Sequence, residues 1–373
     1  MRHTIMVTGG AGYIGSHVLV SLLRAGYDAI AVDDLSNGSR EAVERAATLA
    51  GRPIPLEIAD IAEEGAVDAL LHKYENAGHP IMGAIHLAGR KAVGESVAHP
   101  LRYYDANVCA SVRLLRALQQ HGVRSLVFSS SATVYGNPAH VPVTESHPSQ
   151  PLNPYGRTKH MIEQMLVDQA NADPDFGVAV LRYFNPIGAH PSGDIGEWPR
   201  GTPANVFPYI TQVAAGRREY LSIFGSNYDT RDGTGVRDYL HVMDLAEGHV
   251  MALEHVLQSP GVLTLNLGTG QGASVLELVH TFERVTGVRI PVKFAERRAG
   301  DVDSIWADAG QAARVLGWKA QRSIEQMCED GWNWQRRHPD GYPQPAGAGL
   351  AGDLPIPVFP LLSTMAVTAR SVK

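Results

Sequence analysis

The chain has 373 residues, 44% of them hydrophobic and 19% charged, with a formal net charge of −6, a size that calls for two domains or one large α/β domain with an appendage. Acidic and basic residues are interleaved without long runs of one sign, so bulk charge nominates neither nucleic acid nor a membrane surface as partner. Two cysteines, Cys109 and Cys328, give no disulfide framework, and the opening MRHTIMVTGG has no apolar segment of signal-peptide length, so a soluble cytoplasmic protein is expected.

Short apolar runs alternate with helix-like segments through the first half: TIMVTG, DAIAVD, PIPLEIAD, MGAIHLAG, RSLVFSS and GVAVLRYFN. This rhythm predicts an α/β, doubly wound fold with a mostly parallel sheet and helices on both faces. It breaks near Pro186 in a Gly/Pro-rich stretch, PIGAHPSGDIGEWPRGTPANVFP, of the kind that carries function in enzymes. LTLNLG near residue 265 reads as a return to the sheet. The expected division is residues 1–185 with return segments near 240–270, then a smaller discontinuous C-terminal domain over 186–342. The tail, 343–373, is rich in Pro, Gly and Ala; its apolar stretch carries three prolines, is too interrupted to span a membrane, and is expected to be disordered.

TIMVTGGAGYIGSHVLVSLLRAG reads as a strand, a glycine turn and a helix, with Gly9, Gly12 and Gly15 spaced three apart. Missing side chains allow a tight turn and close approach of backbone N–H groups to a pyrophosphate at a helix amino terminus, the Rossmann arrangement. Asp33, ending the second strand, stands where a carboxylate accepts hydrogen bonds from adenosine ribose hydroxyls and repels a 2′-phosphate, which favours NAD over NADP.

FSSSATVYG follows a buried strand and places the hydroxyls of Ser131 and Thr133 at the carboxyl end of the sheet, where open α/β sheets bind ligands. Tyr155 and Lys159 stand four apart in NPYGRTKHMIEQML, on one face of a helix beginning at Pro154. A tyrosine of ordinary pKa, about 10, is ionised in only about one molecule in a thousand at neutral pH. Lys159 and a positively charged nicotinamide would both favour the phenolate. An isolated YxxxK is more often a surface pair; the preceding serine strand and glycine turn argue for a base.

TGGAGYIGSH, HLAGRKAVGES, SSSATVYG, YGRTK, LRYFNPIGAHPSG and DGTGVRDYLHVMDLA together resemble the UDP-glucose 4-epimerases, extended short-chain dehydrogenase/reductases, from Met1 to about Tyr342. The resemblance implies NAD-dependent oxidation at sugar carbon 4, rotation of a 4-keto intermediate and re-reduction, interconverting UDP-glucose and UDP-galactose in galactose metabolism. It implies Ser131, Tyr155 and Lys159 as the catalytic group. Cofactor contacts would fall on Gly9, Gly12, Tyr13, Ile14 and Gly15; on Asp33, Asp34, Leu35, Ser36, Asn37 and Gly38; on Asp60, Ile61, Leu87, Ala88, Gly89 and Lys91; and on Asn107, Tyr155, Lys159 and Phe184. The UDP-hexose would meet Ser131, Thr133, Asn185, Asn205, Ile223, Phe224, Arg237, Arg298, Asp301 and Ile305, with residues 186–342 its main binding domain. No metal is implied. Arg237 and Arg298 suit bidentate clamping of a diphosphate, and equally a structural salt bridge. In such relatives helices matching 101–120 and 154–172 pair into a four-helix interface, which implies a homodimer.

The chain departs from the family's pattern at Ala106, where an asparagine is usual, and at Ile305. A tyrosine at the latter position goes with restriction to glucose and galactose, a small residue with N-acetylated sugars; isoleucine is intermediate and leaves both open. Two rival readings are weaker. A nucleotide-sugar 4,6-dehydratase places Asp or Glu after the catalytic hydroxyl, where this chain has Ala132 and Thr133. A non-catalytic NAD sensor would have no use for Tyr155 and Lys159.

Overall fold

The computed structural model describes residues 3–298 and 301–343. The expected tail disorder falls, apart from Pro343, outside the described residues. The first half runs β1 (Thr4–Thr8), α1 (Tyr13–Arg24), β2 (Asp28–Asp33), α2 (Arg40–Ala50), β3 (Leu56–Ile58), α3 (Ala66–Asn76), β4 (Ile81–His86), α4 (Val93–Ala98) and α5 (Pro100–Tyr103). A π-helical stretch (Tyr104–Cys109), α6 (Ala110–Gln120), β5 (Ser125–Ser129), a 3-10 turn (Ala132–Tyr135), α7 (Pro154–Ala172) and β6 (Gly177–Tyr183) come next.

These strands and a later one, β11 below, form a seven-stranded sheet in the order β11-β6-β5-β4-β1-β2-β3. Every neighbouring pair in it is parallel. Alternating strand residues feed a core on each face. Ile5, Val7 and Ile85 pack with Val18, Leu19 and Leu22 of α1, whereas Met6, Val32 and Phe128 pack with Leu71 of α3, Leu114 of α6 and Ile162 and Leu166 of α7. The order reverses at β1, between β2 and β4, which opens a crevice at the carboxyl ends of these strands.

The second half comprises β7 (Asn185–Ile187), α8 (Val206–Ala214), β8 (Leu221–Phe224), β9 (Val236–Arg237), β10 (Tyr239–His241), α9 (Val242–Gln258) and β11 (Gly261–Leu267). After these come β12 (Ala273–Ser274), α10 (Val275–Thr286), β13 (Val292–Ala295), β14 (Ser304–Ile305), α11 (Gly310–Leu316) and α12 (Ile324–Arg337). Helix α9 covers the sheet through Leu245, Val250 and Leu253. A third core gathers Phe207, Ile210, Leu221, Phe282, Ile290 and Met327 from α8, β8, α10, the connection before β13, and α12.

The helix expected over 101–120 is not one α-helix. It is α5, a wider π turn and α6. The wide turn lets the Asn107 side chain reach the loop after β4, where its Oδ1 accepts from Arg90 N at 2.8 Å and its Nδ2 donates to Arg90 O at 3.1 Å and Thr158 Oγ1 at 3.0 Å.

At the far end of α6, His121 braces α3 with both ring nitrogens, Nε2 at 2.9 Å from Asp68 and Nδ1 at 2.9 Å from Glu75. Burial lowers its pKa, but the hydrogen bonds and charges of the two carboxylates outweigh it and leave the value raised. A raised folded pKa adds stability that is fully present below the unfolded value, about 6.5, and is lost as pH rises through the folded one. His121→Ala is therefore expected to lower stability in urea denaturation markedly at about pH 6 and little at about pH 9.

Candidate active site

The glycine turn lies where β1 delivers the chain into the crevice. Gly9 has φ +70°, and its N–H donates to Val32 O at 2.8 Å. A Cβ on Gly9 would sit 2.8 Å from Ala88 N, and one on Gly15 would sit 2.1 Å from Gly9 O. Both glycines are thus demanded by packing. Gly12 is less crowded: its Cβ would meet Gly9 O alone, at 3.2 Å, a tight contact that a shift of a few tenths of an ångström relieves. The amino end of α1 has no side-chain cap, and the N–H groups of Tyr13, Ile14 and Gly15 are available to an anion.

Asp33 is buried beside this turn. Its Oδ2 accepts from Ala11 N at 3.0 Å and its Oδ1 from Leu35 N at 2.9 Å. Burial pushes its pKa up against those bonds. A Cβ on Gly38 would press within 2.7 Å of Asp33 Oδ1, so the loop Asp34–Gly38 folds directly over the carboxylate. Asp34 holds that loop by accepting from Ser36 N at 2.8 Å, and Arg200 closes it, donating through Nη2 to Gly38 O at 3.3 Å and through N to Asn37 Oδ1 at 3.5 Å. Leu87 and Ala88 reach the same crevice after β4, bonded to Thr8. Asp60 and Ile61 come after β3; Asp60 is exposed and accepts from Ala62 N, while Ile61 is buried in the core. The set fits a dinucleotide: bare helix amides for a pyrophosphate and a buried carboxylate for a ribose diol.

Ser131 begins the 3-10 turn, its Oγ accepting from Thr133 N at 3.3 Å and Thr133 Oγ1 at 3.0 Å. Asn153 caps α7 by accepting from Gly156 N at 2.9 Å, and Pro154 is the first helical residue. Tyr155 and Lys159 therefore project from the first two turns. Lys159 Nζ donates to Ser129 O at 2.8 Å and lies 4.8 Å from the centre of the Phe128 ring. Burial lowers its pKa to about 8, opposed by the charge of Glu163. Burial raises the pKa of Tyr155, and the neighbouring Ser131 hydroxyl pulls it back. Lys159 thus directs one hydrogen bond to a strand carbonyl while standing one helical turn beyond Tyr155, and Ser131 adds a further pull toward the phenolate.

Phe184 and Ile305 are buried in one apolar cluster with Ala132, Val134 and Ala307, directly beside the serine turn. Ile305 on β14 stands opposite Arg237 on β9. Arg237 donates to Val236 O at 2.9 Å and lies 3.7 Å from Asp301. Arg298 stacks 3.8 Å over the Phe224 ring at the end of β8. Asn185 N donates to Asp238 O at 2.9 Å. Asn205 is the first residue before α8, with its amide uncommitted to the helix. The Ile223 side chain is in the third core, 2% exposed, so a ligand contact at this position would fall to its backbone.

Sequence reading missed Glu197. Its Oε1 lies 3.0 Å from Lys91 Nζ and accepts from Asn205 Nδ2 at 3.4 Å, joining a residue expected at the cofactor to one expected at the sugar nucleotide. Its other oxygen, Oε2, is buried without a partner among the described residues. The available signal was a carboxylate in the Gly/Pro-rich loop. Tyr13 ties the same region together, donating to Gly188 O at 2.7 Å.

A family model described as GDP-mannose 4,6 dehydratase matches residues 6–331. The chain is 53% identical to the UDP-glucose 4-epimerase of Bacillus subtilis (strain 168) over 338 residues, which cover 91% of this chain and 98% of that one. The chain belongs to the UDP-glucose 4-epimerase family. Among solved structures it is similar to the UDP-glucose 4-epimerase of Stenotrophomonas maltophila with bound NAD and formylated UDP-arabinopyranose, with a TM-score of 0.87, 49% identity and coverage of 91% of this chain and 99% of that one. It is also similar to the Bifidobacterium longum UDP-glucose 4-epimerase in complex with NAD+ and UDP, with a TM-score of 0.86, 46% identity and coverage of 91% and 100%. Within the broader dehydratase model, the epimerase family fits this site: Ala132, packed in the apolar cluster, and Thr133 come directly after Ser131, where a dehydratase would need carboxylates.

The two kinds of glycine should separate experimentally. Gly15→Ala is expected to lose at least about 1–3 kcal/mol of stability through overpacking. Gly12→Ala should lose clearly less than Gly15→Ala in the same thermal melt.

Proposed function

We propose that this chain interconverts UDP-glucose and UDP-galactose by inversion at sugar carbon 4, with NAD as cofactor, in galactose metabolism. The carrying observation is the placement of Ser131, Tyr155 and Lys159 at the carboxyl edge of the sheet beside a glycine turn and the buried Asp33. Asp33 favours NAD by accepting from a ribose diol and repelling a 2′-phosphate. The contacts expected from Gly9 to Gly15, Asp33 to Gly38, Asp60 to Ile61 and Leu87 to Lys91, and at Asn107 and Phe184, belong to this reading.

Tyr155 takes the proton of the sugar 4-hydroxyl, and Ser131 steadies the reacting oxygen with Thr133 behind it. NAD, when bound, accepts and returns the hydride at carbon 4. Arg237 and Arg298 grip the diphosphate, the role for which a planar guanidinium is suited. With that end held by the arginines, Asn185, Asn205 and the Ile223–Phe224 edge, and with Asp301 orienting Arg237, the 4-keto ring can turn over and present its other face. Tyr155 then returns the proton to the opposite epimer.

Tyr155→Phe is expected to lower conversion of UDP-galactose to UDP-glucose by about 10²- to 10⁴-fold while leaving the melting temperature near that of the parent. Parent-like turnover in that variant would refute the assignment. At Ile305, substitution by serine is expected to raise turnover of UDP-N-acetylgalactosamine relative to UDP-galactose by about tenfold, since it removes about two methyl-sized groups from the wall of the sugar pocket.

A cytoplasmic homodimer completes the proposal. Leu101 is 79% exposed, and Met161 and Val167 on α7 are 44% and 39% exposed, an apolar surface on the helices expected to pair. Leu101→Glu combined with Met161→Glu should halve the mass seen by sedimentation. Cys109 and Cys328 are both free thiols, which suits a reducing compartment, and no helix among the described residues is long and apolar enough to cross a membrane.

A further inference from the structure

Behind the reacting groups lies a buried ionic network that the reaction above does not use. Glu163 stands four residues beyond Lys159 on α7 and so occupies the same face one turn further on. Its side chain is 6% exposed. Arg182 of β6 grips both its oxygens, Nε donating to Oε1 at 3.0 Å and Nη2 to Oε2 at 2.7 Å. Ser130 Oγ donates to the same Oε1. From Arg182 the network continues: Nη1 donates to Tyr135 OH at 3.2 Å, Tyr135 OH to Asn266 Oδ1 at 2.6 Å, and Asn266 Nδ2 to Val143 O at 2.8 Å. Val143 N in turn donates to Trp306 O at 2.8 Å, next to Ile305.

Stability alone is a poor reason for such a pair, because desolvating two charges cancels much of their attraction and apolar residues of similar volume commonly do as well. Its connections point elsewhere. Ser130 directly precedes Ser131, and Tyr135 ends the 3-10 turn, so the Glu163–Arg182 pair grips both ends of the segment that presents the reacting hydroxyl. Glu163 also acts on Lys159. Around that ammonium stand the Ser129 carbonyl and Phe128 ring of β5 and His86 of β4, with Tyr155 one turn earlier on the same helix; around Glu163 stand Arg182 of β6 and His160 of its own helix, whose Nδ1 lies 3.7 Å from Oε2. His86 is kept neutral by burial, its pKa lowered to about 3. Glu163 is the carboxylate that offsets the effect of burial on Lys159.

We propose that Glu163 is a positioning residue for the epimerisation: clamped by Arg182, it fixes the Ser130–Tyr135 turn that presents Ser131, and its negative charge keeps Lys159 an ammonium during turnover. This rests on the reaction proposed above. Glu163→Gln keeps the shape and removes the charge. It is expected to lower kcat at least about tenfold, with KM for UDP-galactose within about threefold, and to move the alkaline limb of the pH profile about one unit lower, because Lys159 loses its proton more readily without the anion. Ser130→Ala cuts the clamp but keeps the charge; kcat should fall with the alkaline limb unmoved.

Lys159 can also be followed without turnover, by carbon-13 NMR titration of its ε-methylene, assigned with Lys159→Arg. In Glu163→Gln that titration should shift to lower pH by about one unit. An unshifted Lys159 titration, or parent-like kcat in folded Glu163→Gln, overturns the proposal. If Glu163→Gln fails to fold, Ser130→Ala carries the test: it leaves the Glu163–Arg182 pair intact and releases the turn, and parent-like kcat in that folded variant overturns the proposal. Failure of the parent protein to epimerise UDP-galactose would instead count against the reaction itself, and the NMR titration would still decide the role of Glu163.

Discussion

Helix α7 meets the sheet through a buried ammonium, and the requirement to replace that ammonium's lost water organises the site. Desolvating a lysine is costly unless hydrogen bonds stand in for solvent. At Lys159 the replacement is the Ser129 carbonyl, 2.8 Å away at the end of β5. Fixing this side chain fixes the rotation of the helix about its axis. Helical periodicity then decides the rest: four residues earlier Tyr155 faces the crevice beside Ser131, and four residues later Glu163 faces Arg182 in the interior. The parallel sheet contributes the other half, since every strand ends on the same edge and brings Gly9, Asp33, Leu87 and Ser131 to one crevice.

Features written into a few consecutive residues could be read directly from the sequence. The glycine turn, the strand-ending Asp33 and the Tyr155–Lys159 spacing each arise from local backbone geometry, and the alternation of apolar runs reveals the doubly wound sheet. Features made by distant partners could not. Glu197 meets Lys91 across 106 residues, and Glu163 meets Arg182 across 19. Ile223 looks like any strand residue until the third core claims its side chain. The π turn escapes a 3.6-residue pattern because its cause lies outside the helix, in the backbone of Arg90.

One scaffold supports more than one nucleotide-sugar chemistry, so the fold leaves the reaction undecided. Here the distinction rests on the two residues after Ser131. Ala132 is packed against Val134, Phe184 and Ile305, and a carboxylate in its place would be buried among apolar groups without a visible partner. The apolar wall thus disfavours loss of water from the sugar and agrees with the epimerase family rather than the dehydratases. The same wall carries Ile305, which stands opposite Arg237 in the β14–β9 pairing.

The wide turn at Tyr104–Cys109 has a consequence for how this chain can change over time. An α-helix advances about 100° per residue, so each residue gained or lost there swings everything on one side of the turn by about that angle relative to the other. Leu101 lies before the turn on the exposed surface, and Leu114 lies after it in the core. Point substitutions on these two faces are therefore tolerated or rejected independently. A single-residue deletion within the turn is judged by both faces at once, and by Asn107 as well, whose amide would leave Arg90. Length in this segment is held more tightly than composition, and the alanine at 106, where the family usually has asparagine, is the kind of variation such a constraint permits.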